Sequence, residues 1–133
     1  MQFLEPIIGG IAAFLLGFLW YTALFGKVWK AETGMTDEDA KEGMARTHGL
    51  AFLMMVVLSY AVNVIIGYHS VEEQTFVHGA FHGGQAGLMY AAPAIAINYL
   101  YQKKSLKLFL IDAGYVISFM ALSGAVMAVL NLG

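Results

Sequence analysis

Every Lys and Arg of the chain, seven in all, falls within or at the edge of two connections between apolar stretches. Lys27, Lys30, Lys41 and Arg46 follow the first stretch, and Lys103, Lys104 and Lys107 follow the third. The connection between the second and third, residues 69–75, contains Glu72 and Glu73 but no basic residue, and none precedes the first stretch or follows the fourth. An alternation of this kind predicts four membrane crossings. Basic loops are retained on the cytoplasmic side, so the first and third connections are expected inside and both termini outside.

Composition narrows the class further. With 59% hydrophobic and 12% charged residues, too little polar surface exists to cover a water-soluble globule of this length. A single membrane domain over residues 1–133 is expected, all-α, embedded in the lipid bilayer. The net charge of −2 and the scattered basic residues offer no stripe for a nucleic-acid backbone. The chain has no Cys, which excludes disulfide and thiolate chemistry. Its first residues lack the basic n-region of a cleaved signal, so the first stretch is expected to be a retained helix.

The crossings are expected over residues 6–25, 48–68, 76–101 and 106–132, each with roughly the 20 residues needed to span a hydrocarbon layer of about 30 Å. Trp20, Tyr21 and Trp29 lie beside Lys27 and Lys30, the arrangement of an interfacial belt in which rings sit at headgroup depth and lysines extend to water. In the first loop Thr36 precedes Asp37, Glu38 and Asp39. This T-x-x-D pattern resembles a capping box and predicts a short amphipathic helix in the first cytoplasmic loop, leading into the second crossing.

Small residues recur at helical spacing. Gly79, Gly83 and Gly87 share one face of the third crossing, and Gly9, Ala13 and Gly17 share one face of the first. Both stripes are expected to be packing faces, since small residues at every fourth position let helices approach closely in lipid. Pro93 is expected to kink or locally open the third crossing, because it removes a backbone donor.

The segments Gly17-Phe18-Leu19-Trp20-Tyr21, continuing Leu24-Phe25-Gly26-Lys27-Val28-Trp29, and Leu108-Phe109-Leu110-Ile111-Asp112-Ala113-Gly114-Tyr115 resemble the domain of unknown function 1761 family of small bacterial membrane proteins. The resemblance covers nearly the whole chain. It implies a four-helix integral protein of the bacterial cytoplasmic (inner) membrane, with no established activity, and a position 112 that also takes Asn.

Two polar groupings emerge from depth counting at about 1.5 Å per residue. Trp20, Tyr21, Asn98 and Asp112 fall at similar heights near the basic loops. A carboxylate there can accept from the Trp indole or the Tyr hydroxyl as a structural latch, or titrate as a proton-coupling site. At the opposite end His78 and His82 share a face that Gln85 continues, with His69 in the preceding connection. Interfacial or interhelical histidines are the default for such a pair, and a pH-responsive cluster is a second reading. His78 and His82 could also hold a metal or pigment, although Gly79 stands where H-E-x-x-H requires Glu, and no cofactor is predicted.

No phosphate-binding loop or nucleophile elbow is present, and an enzyme is not expected. The sequence favours an interaction or accessory component of a membrane assembly, as a homo-oligomer or within a larger complex. The alternative is an oligomeric ion- or proton-coupled transporter of small solutes, because four helices enclose little room for an aqueous path. A reporter active only in the cytoplasm should give signal when inserted in the first loop near Lys41 and none when fused after Gly133. The reverse pattern would overturn the orientation.

Overall fold

The computed structural model describes residues 3–130, and among them every regular element is helical. Helix α1 (Leu4–Leu19) starts with Pro6 in its first turns, where a missing N–H costs no internal bond, and continues through a π turn at Trp20–Leu24. Two short helices follow, α2 (Gly26–Thr33) and α3 (Asp37–Lys41). Helix α4 (Met44–Gly67) returns toward the start of α1, and a 3₁₀ turn at Val71–Glu73 leads to α5 (Phe76–Ala86). A π turn at Gly87–Ala91 joins α5 to α6 (Ala92–Tyr101), making one rod over residues 76–101. Helix α7 (Leu106–Leu130) completes the described chain. The expected end of the last crossing, residues 131–132, lies outside the described residues.

Three helical segments are long and apolar enough to cross a membrane: Leu4–Leu24, Met44–Gly67 and Leu106–Leu130. The 76–101 rod is not among them. Its two histidines, Gln85, Asn98 and four glycines dilute its apolar content.

The first-loop capping box forms as a reciprocal pair. The Thr36 hydroxyl accepts from the Asp39 N–H at 3.2 Å, and the Asp39 carboxylate accepts from the Thr36 N–H at 2.9 Å. This bond from the Thr36 backbone holds the exposed Asp39 carboxyl below its ordinary pKa. The helix does not, however, run into the second crossing. Gly43 adopts a left-handed conformation with φ of 62°, a backbone state open to glycine at no steric cost, and α4 begins afresh at Met44.

Pro93 also has a specific structural consequence. In a regular helix its ring would press on the carbonyl of residue 89; here the π turn widens the helix immediately before it. The rod therefore passes the proline without ending.

The core lies between α7 and the other helices, and its closest pairing is α5 against α7. A methyl group on Gly79 would overlap the Gly124 carbonyl, and one on Gly124 would overlap the Gly79 carbonyl. A methyl on Gly83 would overlap the Met120 carbonyl, and one on Gly87 would lie 2.8 Å from the Ile117 Cα. These two helices thus meet backbone to backbone. Gly9 faces Ser59 and Met127, Ala13 is fully buried, and Gly17 lies beneath the Tyr115 ring.

Few polar groups enter this core, and those that do bridge helices. The Ser59 and Ser123 hydroxyls, both fully buried, lie 2.9 Å apart, and Ser123 donates onward to the Gly9 carbonyl at 3.2 Å. Since each hydroxyl carries one proton, Ser59 is the donor to Ser123, and the chain α4 to α7 to α1 is directional. Tyr115 donates to the Ala13 carbonyl at 2.7 Å. In lipid such bonds average about 0.6 kcal/mol each. Close packing therefore contributes more than these bonds to holding the bundle together.

Overpacking typically costs about 1 to 3 kcal/mol, and Gly83→Ala should lower the thermal midpoint by a corresponding amount. Gly84→Ala provides the contrast, because its new Cβ would lie 3.5 Å from the Ala121 Cβ, an ordinary contact. Equal stability of the two variants in detergent would contradict the backbone contact.

Candidate functional site

The two segments that carry the family resemblance meet each other in space. Tyr21 donates to one Asp112 oxygen at 2.6 Å, and Tyr99 donates to the other. Trp20 donates through its indole N–H to the Ile111 carbonyl at 3.0 Å. Gly114 leaves room for that indole: an added Cβ would lie 3.3 Å from it. Tyr115 packs edge-on against Tyr21, with ring centroids 5.2 Å apart. In α7, Ile111, Asp112, Gly114 and Tyr115 each receive or accommodate an aromatic residue, two of which, Trp20 and Tyr21, come from the π turn that follows α1.

Of the two ring donors expected for Asp112, Tyr21 fills the role, and the grouping of Asn98 with them is corrected. Trp20 bonds the Ile111 backbone rather than the Asp112 carboxylate. Asn98 donates to the Ala94 carbonyl of its own helix at 3.2 Å and takes no part in the cluster. Counting residues fixes height but not direction. Successive helical residues differ by about 100°, so Tyr99, rather than its neighbour Asn98, faces α7. A tyrosine one position from Asn98 was the available signal. Lys104 lies over the Tyr99 ring at 4.4 Å from its centroid, holding the ring between cation and carboxylate.

The surrounding loop is tied to α7. Ser105 donates to Glu32 at 2.6 Å, and Lys107 approaches the same carboxylate at 3.8 Å. Lys30 pairs with Asp37 at 2.5 Å, which holds the exposed Asp37 carboxyl below its ordinary pKa. These contacts anchor the first loop beside the Asp112 cluster.

At the other end His69, His78 and His82 form a second cluster. Their ring centroids lie 4.4 to 4.6 Å apart pairwise, and one nitrogen from each lies within 4.8 Å of the others. The connection before α5 is built to hold them. Gln74 donates to the His69 carbonyl at 2.9 Å, Thr75 caps α5 by accepting from the His78 N–H at 3.3 Å, and Ser70 and Glu73 form a capping box. The Ser70 N–H, followed by its hydroxyl, holds the Glu73 carboxyl below its ordinary pKa. Gln85 is exposed. It continues the helical face but lies a turn beyond the level at which His69 meets His78 and His82.

A further polar pair went unread in the sequence. Asn63 donates to the buried Glu5 carboxylate at 3.1 Å, joining α4 to the first turn of α1. Counting depth from the histidine end as well as the basic end would have brought these two residues together.

Residues 5–128 match the family described as protein of unknown function DUF1761, and the chain belongs to that family. No curated protein and no solved structure matches it.

If the Asp112 carboxylate serves chiefly as an acceptor for two tyrosines, one on each oxygen, Asp112→Asn should lower thermal stability only partly, since the amide keeps one acceptor oxygen and presents an NH2 in place of the other. Asp112→Leu should cost about 1 to 3 kcal/mol, because it leaves hydroxyl donors unpaired. A denaturation series in detergent compares them, and an Asp112→Leu protein as stable as wild type would remove the acceptor role.

Proposed function

We propose that this DUF1761 family member is a four-crossing protein of the bacterial cytoplasmic membrane, N-out and C-out, and acts without enzymatic chemistry as an interaction component of a membrane assembly. Support for a fourth crossing comes from the 76–101 rod. At 1.5 Å per residue it extends about 39 Å, more than the roughly 30 Å hydrocarbon layer. Its glycines face α7, and His78 and His82 face His69, while Phe76, Val77, Phe81, Leu88, Met89, Ile97 and Leu100 are exposed. A lipid-facing side explains that apolar exposure, which a soluble surface would not sustain.

The observation that carries the interaction reading is a groove. Helix α4 and the 76–101 rod diverge along an apolar channel of about 540 Å³. Leu58, Ala61 and Ile65 form one wall, Ala86, Ala91 and Ala94 the other, and Met120 of α7 lies at the base. Small residues on both sides permit the close approach by which helices associate in lipid. A transmembrane helix of another subunit fits this chemistry. Asp112 favours packing over ion transport, since both of its oxygens already accept tyrosine hydroxyls.

Mass measurement of protein extracted into native nanodiscs tests this reading. Wild type should carry more protein mass than one chain, and Ala61→Trp with Ala94→Trp, which fills the groove, should return it to one chain. A single chain with lipid alone in the wild type would contradict it.

A further inference from the structure

The histidine cluster has a feature that hydrophobic packing does not explain. The His78 Nε2 is buried and has no hydrogen-bond partner. An unmet buried polar atom costs about 1 to 3 kcal/mol, yet this one belongs to a group of three imidazoles. His69 supplies a second constraint. Its Nδ1 lies 3.2 Å from the Ile65 carbonyl; a carbonyl only accepts, so Nδ1 carries the proton. In the neutral ring the His69 Nε2 is then a lone-pair donor. A carbonyl that fixes the tautomer of a ring and frees its other nitrogen is the usual outer partner of a metal-bound histidine.

We infer that His69, His78 and His82 form a three-histidine site for a divalent transition ion of the zinc type, located at the histidine end of the bundle. Three nitrogens around a tetrahedral ion stand about 3.4 Å apart, given metal to nitrogen bonds of about 2.0 to 2.1 Å. The three nitrogens lie within 4.8 Å of one another, so ion binding would draw them in by at most about 1.4 Å. Neutral imidazoles suit such ions, and three protein ligands leave a fourth position for water or an external ligand. Glu73 interacts electrostatically with His69 and His78, so the adjacent carboxylate favours a cation at this mouth. The ligands come from separate elements: His78 and His82 from α5, one turn apart, and His69 from the connection after α4. Binding would therefore clamp α4 to the 76–101 rod at the end opposite Asp112.

The test uses purified full-length protein in nanodiscs, stripped with chelator and titrated with Zn²⁺, with Co²⁺ as a spectroscopic probe. One Zn²⁺ per chain should bind, and Co²⁺ should develop the intense visible bands of a four-coordinate site that Zn²⁺ then displaces. His78→Ala and His82→Ala should each weaken binding at least about 100-fold, a scale that even the outer partners of metal ligands can reach. His69→Gln, in the connection between helices, removes a ligand without touching the glycine contact. It should also abolish the Co²⁺ bands, with the helical signal retained. His48→Ala is the control and should bind as wild type does. Wild-type affinity no greater than that of the His78→Ala, His82→Ala double variant would overturn the site. So would Co²⁺ that keeps the weak spectrum of the hydrated ion.

Discussion

The fold depends on two helices touching through their backbones. In lipid the surrounding hydrocarbon is as apolar as any side chain, so burying Leu or Ile against a neighbour supplies little driving force. Close van der Waals fit has to supply it instead. Gly79, Gly83 and Gly87 on one helix and Gly124 on the other remove the side chains that would hold α5 and α7 apart. Helix α7 thereby becomes the central element, with Phe119, Met120, Ser123 and Met127 buried against its neighbours. Helices α1 and α4 complete the arrangement through the Ser59, Ser123 and Gly9 chain.

The same constraint shapes the two polar clusters. Because α7 is fixed against α5, Asp112 is held at a defined height, and tyrosines from α1 and α6 converge on it. His78 lies one residue before Gly79 and His82 one before Gly83. The positions that bring α5 against α7 thus also set the direction of the histidines. The polar clusters lie at opposite ends of the bundle, while the groove opens where α4 draws away from the rod.

What was legible in the sequence followed from one-dimensional signals. Apolar run length gave all four long helical stretches, and the fourfold spacing of Gly79, Gly83 and Gly87 marked the face that meets α7. Thr36 and Asp39 announced their cap. Direction around a helix was harder to read, because it depends on which neighbour is present; hence Tyr99 rather than Asn98 beside Asp112, and an exposed Gln85. Gly124 was missed because no second glycine repeats it at helical spacing in α7. The π turns were not legible either. Nothing periodic distinguishes residues 20–24, and at residues 87–91 only the nearby Pro93 hinted at an irregular turn.

Helix α5 lies directly on α7, and because the chain has no Cys that contact can be measured with introduced thiols. In Gly84→Cys with Ala121→Cys the two Cβ atoms would lie 3.5 Å apart, inside the range of about 3.5 to 4.5 Å that a disulfide accepts. Mild oxidation in native membranes should link this pair within one chain almost completely. Gly84→Cys with Leu110→Cys, separated along α7 by about 16 Å more, should stay reduced. Free thiols in the first pair, or equal linkage in the second, would contradict the backbone packing of α5 on α7.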